Sequence, residues 1–265
     1  MRLAVGQLEP QVGKTDENLV QIRRILDCAE EAKVDVLVLP ELCNSGYVFL
    51  NEAEASNAAE PIPDGKTCIE LREWSKKDRL VVSGICEKTD DGLYNSAVAF
   101  GNGKYITTYR KIHLFMNEQD WFIQGMVEPP VFEFKKSRFG IMICFDWLFP
   151  EIIRILALKK AQVILHPANL VLPYCQDAMV TRSIENRVFT ATANRVGKER
   201  RTTFSGASQI TDTKGTRLIQ MTSTETGVRW ADIDPTMADN KAITDRNDVL
   251  GDRKPDLYWR LTQDD

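Results

Sequence analysis

Three residues suited to act together on a carbonyl or nitrile carbon stand at the ends of three apolar runs. Cys144 closes Arg138-Phe139-Gly140-Ile141-Met142-Ile143, Glu41 follows Val36-Leu37-Val38-Leu39-Pro40, and Lys111 follows the strand end Tyr109-Arg110. A thiol attacks, a carboxylate takes its proton, and a cation meets the developing oxyanion. Each residue alone has a plainer reading: a packed core thiol, a solvated loop acid, a surface charge. Together at strand exits, where α/β proteins gather ligand and catalytic groups, they read as a site for covalent hydrolysis of a carbon–nitrogen bond. Pro150-Glu151 opens an amphipathic helix through Ile152, Ile153, Ile155, Leu156 and Leu158. That would set Cys144 near a helix N-terminus, which favours thiolate over thiol.

The elements that must position these groups follow from periodicity. Residues 2–7 predict a first strand, and Leu19, Ile22, Leu26 and Ala29 recur at helical spacing behind a cap at Thr15. A strand over 34–39 precedes a polar, loop-like stretch at 42–64 and a helix at 66–77. Strands are expected at 80–86, 94–100 and 105–110. After the Cys144 strand and its helix come strand 162–165, helix 174–187 and strand 188–193, then strands near 206–211, 217–221 and 226–233. Strand–helix alternation early, with adjacent strands elsewhere, predicts a layered α/β domain with mixed sheets.

The 265 residues are 43% hydrophobic and 27% charged, which suits a globular chain with a substantial core. Groups as far apart as Glu41 and Cys144 must meet, so residues 1–265 are expected to form one domain. Net charge is −4, and the short basic clusters Lys159-Lys160 and Lys198-Glu199-Arg200-Arg201 read as solvated faces, so no nucleic-acid partner is expected. No apolar run approaches a membrane span, and the first residues read as a strand rather than a signal peptide. Six cysteines without paired spacing read as reduced thiols, which points to the cytoplasm.

The chain resembles the nitrilase superfamily of carbon–nitrogen hydrolases. The likeness rests on Leu39-Pro40-Glu41, Tyr109-Arg110-Lys111-Ile112-His113-Leu114-Phe115, and Ile143-Cys144-Phe145-Asp146-Trp147 with Pro150-Glu151. It continues in His166-Pro167-Ala168-Asn169, Arg182-Ser183-Ile184-Glu185-Asn186-Arg187, Ala193-Asn194-Arg195-Val196-Gly197 and Phe204-Ser205-Gly206-Ala207-Ser208. The resemblance implies a four-layer αββα sandwich and a catalytic triad of Glu41 as base, Lys111 as cation and Cys144 as nucleophile. It also implies a second carboxylate at Glu118, with Asp120 as the alternative, and a backbone donor at Phe145. Trp147 and Asn169 are expected to line the pocket. Asp146, Glu151, Arg187 and Arg195 are expected to brace the site through buried salt bridges and hydrogen bonds. The tail, about 242–265, is expected to pack at a subunit interface of a homodimer or higher oligomer. No cofactor or metal is implied.

Rival chemistries fare less well. A Cys–His pair would use His113 or His166 and leave Glu41 without work. A metal-dependent amidohydrolase lacks a His-x-His or His-Glu-x-x-His ligand set. A catalytically silent binding protein of the same fold sits poorly with an intact Glu41, Lys111 and Cys144. Within the superfamily, Cys144-Phe145-Asp146 with Phe149-Pro150-Glu151 is similar to the amidase-type branches, so small amides come first, nitriles next and N-carbamoyl compounds third. Leu170 stands where many amidase relatives carry Trp, and Trp121, Phe122, Trp147 and Tyr174 suggest aromatic walls.

Overall fold

The central strands are near-continuous apolar runs, buried throughout, as strands covered on both faces of a sheet are. The computed structural model describes residues 1–263, so the last two residues of the 242–265 tail lie outside the described residues. The first half of the chain runs β1 (Arg2–Gln7), α1 (Thr15–Glu31), β2 (Val36–Val38), α2 (Glu52–Ala58), α3 (Lys66–Trp74), β3 (Leu80–Thr89), β4 (Gly92–Gly101) and β5 (Lys104–Arg110). There follow β6 (Val131–Phe134), β7 (Ser137–Ile141), α4 (Pro150–Leu158), β8 (Val163–Pro167), α5 (Cys175–Asn186) and β9 (Phe189–Ala193). The remainder holds β10 (Lys198–Glu199), β11 (Thr202–Thr203), β12 (Gln209–Thr211), β13 (Arg217–Gln220), β14 (Gly227–Asp232), β15 (Ala242–Thr244) and β16 (Asn247–Asp248).

Two six-stranded sheets result, ordered β14-β1-β2-β3-β4-β5 and β13-β12-β9-β8-β7-β6. Each has three parallel strands at its centre, β1-β2-β3 and β7-β8-β9, with antiparallel strands on both sides. In the first sheet Leu3, Val5, Val36, Val38, Leu80 and Val82 face Phe139, Ile141 and Leu165 of the second. The alternate residues Ala4, Leu37, Val81 and Ile85 face Ile22, Ile25 and Leu26 of α1 and Cys68 and Leu71 of α3. Helices α4 and α5 cover the second sheet through Ile152, Ile153, Leu156 and Met179. This is the αββα sandwich that the resemblance implied. The carboxyl ends of β2, β3 and β5 share one edge of the first sheet, where Glu41 and Lys111 emerge.

Several expectations are corrected. The 42–64 stretch is not all loop: α2 forms behind Asn51, whose side chain accepts the Glu54 N–H at 3.0 Å. Thr15 does not cap α1; it is the first helical residue after Lys14, and no side chain caps that end. Strand β6, a four-residue local hairpin partner of β7, and the two-residue strands β10 and β11 are too short for periodicity to reveal. The tail folds into the β15–β16 hairpin. Lys241 Nζ donates to the Asn186 and Arg187 carbonyls at the end of α5, at 3.0 and 2.9 Å. Among the described residues no helix is long and apolar enough to cross a membrane.

His166 on β8 is fully buried, with Nε2 on the Cys144 carbonyl at 3.0 Å and Nδ1 on the Thr192 hydroxyl at 3.0 Å. A carbonyl can only accept, so Nε2 carries the proton and the ring is neutral. Burial lowers its pKa from 6.5 to about 4, against the Cys144 carbonyl and Asp146, which favour the charged form. The unfolded chain therefore binds the extra proton first, and stability falls as pH drops from 6.5 toward 4. His166 alone contributes about 3 kcal/mol to that fall. Chemical denaturation at stepped pH should show this slope, and His166→Gln should flatten it; an unchanged slope in the variant would remove the assignment.

Candidate active site

Each central side chain leaves its strand through a backbone arrangement that the neighbouring strand enforces. Beyond β2 the chain keeps tracking β3, with Leu39 N–H on Val82 O at 2.8 Å, Gly84 N–H on Pro40 O at 3.0 Å and Cys43 N–H on Gly84 O at 3.2 Å. Gly84 makes this crossing feasible: a Cβ there would sit 2.3 Å from the Glu41 Cα. Lys111 follows β5, its N–H on Asn95 O at 2.9 Å and its carbonyl accepting from Gly125 N–H at 2.8 Å. Cys144 begins a 3-10 turn, Cys144–Leu148, and α4 starts only at Pro150. The nucleophile thus sits at a tight turn, not at the N-terminus of the α-helix as expected from sequence. Its φ of 40° is left-handed, as are those of Leu42 (46°) beside Glu41 and Met116 (48°) near Glu118. Non-glycine residues in this region are strained, and these three lie at the site while the others with positive φ lie elsewhere in the chain.

Lys111 lies between two carboxylates, with Nζ 2.6 Å from Glu41 Oε1 and 2.8 Å from Glu118 Oε1; all three residues are buried. Asn95 Nδ2 bridges the same pair, 2.7 Å from Glu41 Oε1 and 3.2 Å from Glu118 Oε2. The Tyr47 hydroxyl donates to Glu118 Oε1 at 2.6 Å. Glu118 is therefore the second carboxylate, and Asp120 is exposed. Glu41 Oε2 is buried and takes no hydrogen bond. The turn below Cys144 hangs on Asp146, whose Oδ2 accepts from Ile143 N–H and the Tyr109 hydroxyl, both at 2.9 Å. Its Oδ1 meets His113 Nδ1 at 2.8 Å, and His113 stacks on Phe149. Neither histidine hydrogen-bonds the thiol among the described residues: His166 is engaged by the Cys144 carbonyl and Thr192, and His113 by Asp146, which disfavours the Cys–His alternative.

A buried Glu–Lys–Glu group beside a cysteine at a strained strand exit is the arrangement the motifs implied. The Carbon-nitrogen hydrolase family model matches residues 2–242. The chain belongs to the carbon–nitrogen hydrolase family. It is 42% identical to a protein named nitrilase from Pyrococcus abyssi, over 98% of this chain and 100% of that one. It is 29% identical to a Bacillus subtilis 2-oxoglutaramate amidase, over 95% and 97% of the two chains. Its fold superimposes on a solved amidase from Nesterenkonia sp. with a TM-score of 0.82 at 23% identity, covering 98% and 96%. The nitrilase-superfamily reading of the motifs is borne out.

The electrostatics of this family member's site follow from burial. Burial works against the Lys111 ammonium, but Glu118 and Glu41 together outweigh it and hold the pKa above that of an ordinary lysine. Burial raises the Glu118 carboxyl; Lys111 opposes this and Glu41 adds to it. The Cys144 thiol is pushed well above its usual value by burial first and then by Glu41, against the pull of Lys111. Burial and the flanking acids thus oppose the thiolate that a helix N-terminus would favour. Two acids against one ammonium, in a dry setting, oppose a second negative charge on sulfur.

The remaining predicted residues divide. Phe145, Trp147, Asn169 and Leu170 line a narrow slot of about 20 Å³ at Cys144. Both polar atoms of the Asn169 side chain are buried there without partners. The Phe145 N–H has no backbone partner among the described residues, as expected at the start of a 3-10 turn. Arg195 is fully buried, 3.3 Å from Glu199 Oε2 and over the Phe204 ring. Glu199 in turn accepts the Tyr47 and Val48 N–H groups at 2.9 and 2.6 Å, so Arg195 braces the loop that carries Tyr47. Glu151 is exposed in the first turn of α4 and makes no ion pair among the described residues, which corrects its expected bracing role. Arg187 also forms no ion pair; it sits left-handed at the end of α5 and donates to Thr213 O at 3.2 Å. The brace from that helix is Arg182, whose Nε donates to Trp147 O at 3.3 Å. Trp121 borders a second cavity, Phe122 is core, and Tyr174 is exposed.

Sequence reasoning missed Asn95, Tyr47 and Gly84. The signal for Asn95 was available: Asn95-Ser96 interrupts the apolar run 93–100, and a polar residue inside a buried strand needs a partner. A raised Cys144 pKa has a direct readout. The ultraviolet thiolate difference between wild type and Cys144→Ala should stay flat up to at least pH ~9, above the usual cysteine range. A thiolate step near neutrality would overturn it.

Proposed function

We propose that this carbon–nitrogen hydrolase cleaves small linear amides to acid plus ammonia through a Cys144 thioester. The observation that carries this reading is Glu41. One carboxylate oxygen is tied to Lys111 and Asn95, and the other is buried and unpartnered, in a site where Glu41 is the strongest charge acting on the thiol. A dry, fixed acceptor of this kind suits a general base.

Because the thiol rests protonated, proton transfer to Glu41 accompanies attack of sulfur on the carbonyl carbon. The electron pair of the C=O bond moves to oxygen, where the Lys111 ammonium and the Phe145 N–H supply positive charge. Glu41 returns the proton to the nitrogen, the C–N bond breaks and ammonia departs. Water then enters, Glu41 removes its proton, and the resulting hydroxide attacks the thioester. Collapse expels sulfur, which regains the proton from Glu41, and the acid leaves. Glu118 keeps Lys111 charged and in place, Asn169 offers its unpaired amide to the substrate, and Trp147 walls the slot.

A second reading, nitrile hydrolysis, is favoured by the 42% identity to a protein named nitrilase. Ammonia release from matched aliphatic amides, nitriles and N-carbamoyl compounds, with intact-mass spectra during turnover, separates the readings. Amides should be turned over best with an acyl adduct of one chain. Cys144→Ala should lose both adduct and activity, and Glu41→Gln should lose about 100-fold or more in kcat. Preference for nitriles would replace the amide reading, and turnover retained in Cys144→Ala would remove the thioester.

We further propose a homodimer or higher oligomer acting in the cytoplasm. Leu257, Trp259 and Leu261 are 75%, 50% and 66% exposed at the tail, which supports a partner covering it, and all six cysteines are unpaired, which supports a reducing compartment. Light scattering should give a mass of at least two chains, and deletion of 255–265 should lower it; the mass of one chain would remove the oligomer.

A further inference from the structure

The slot at Cys144 shares Phe115 and Val171 with a larger chamber of about 340 Å³, whose inner wall is Glu118. The slot itself accommodates little beyond the reacting carbonyl, and the chamber that borders it at Phe115 and Val171 is the adjoining space large enough for an acyl chain. The outer wall is aromatic and hydroxylic: Phe49, Trp121, Tyr47, Thr202 and Thr203. A space of this size lies at the low end of small-ligand sites and exceeds the needs of an acetyl group.

Charge is the deciding feature. The only ionisable groups on the chamber wall are Glu118 and Tyr47, and Tyr47 is a buried hydroxyl already donating to Glu118. Nearby cations are committed: Lys111 to Glu41 and Glu118, Arg195 to Glu199, and Arg200 to Glu54 and the Val48 carbonyl. Arg201 is exposed at the hairpin turn and lies outside the lining. A substrate carboxylate entering the chamber would find no cation in its lining and would approach Glu118, whose partner ammonium is shared with Glu41.

We propose that the chamber selects an uncharged acyl chain of several carbons and rejects ω-amides that carry a carboxylate. This rests on the amidase reading above and narrows it to neutral medium-chain amides. The wall chemistry has a second consequence: Thr202, on the short β11 strand, is a position from which a cation would reverse the selection.

The test compares hexanamide with adipamic acid, which replaces the terminal methyl by a carboxylate, and with the methyl ester of adipamic acid as a neutral control for bulk. The expected kcat/KM for adipamic acid is at least about 100-fold below both neutral amides, and acetamide falls below hexanamide. Thr202→Arg should shift the adipamic acid to hexanamide ratio upward at least about tenfold. Protection of Cys144 from iodoacetamide by the same three compounds is measured in parallel, since it reads occupancy without turnover. Hexanamide protecting where adipamic acid does not would uphold the chamber's selectivity even if no amide were hydrolysed, an outcome that would overturn only the amidase reading. Equal or better use of adipamic acid, or equal protection by it, would overturn the proposal.

Discussion

The burial of the Lys111 ammonium between Glu41 and Glu118 is the interaction around which the rest of the site is arranged. Three charges are removed from water, and removing any partner would leave an uncompensated ion in the interior. The sandwich makes this burial tolerable by supplying fixed donors from several segments. Asn95 comes from β4, Tyr47 from the loop after Glu41, and the Tyr47 loop is held by Glu199 and Arg195 beyond β9. A chain of ion pairs and hydrogen bonds therefore runs from the second sheet to the carboxylates on the first.

The same charges explain the resting state of the nucleophile. Burial and the neighbouring Glu41 disfavour a negative charge on Cys144, which fits the proposed transfer of its proton to Glu41 as sulfur attacks carbon. The strained φ angles at Leu42, Met116 and Cys144 fit this picture. Backbone strain aims three side chains from three segments at one point, and the packed sheets on either side hold it.

The site also limits what it can accept. The chamber wall beside these groups carries no cation for a carboxylate elsewhere on the substrate. Catalytic electrostatics and substrate selection are in this way two consequences of one charge arrangement.

The succession of most strands and helices along the chain and the polar exits at Glu41, Lys111 and Cys144 were legible in the sequence, because apolar runs and their polar exits are local signals, while Glu118 came from the resemblance. That reading reached a layered α/β domain from the pattern and the αββα sandwich only through resemblance, since periodicity does not say which sheets face each other. The 3-10 turn at Cys144, the crossing at Gly84, the bridging by Asn95 and the replacement of Arg187 by Arg182 as the brace were decided by tertiary structure. The exposure of Glu151 belongs with them. Each depends on distances between segments far apart in the chain. The electrostatics at Cys144 do too: a local motif favours a thiolate, but desolvation and the acids of remote segments push its pKa up.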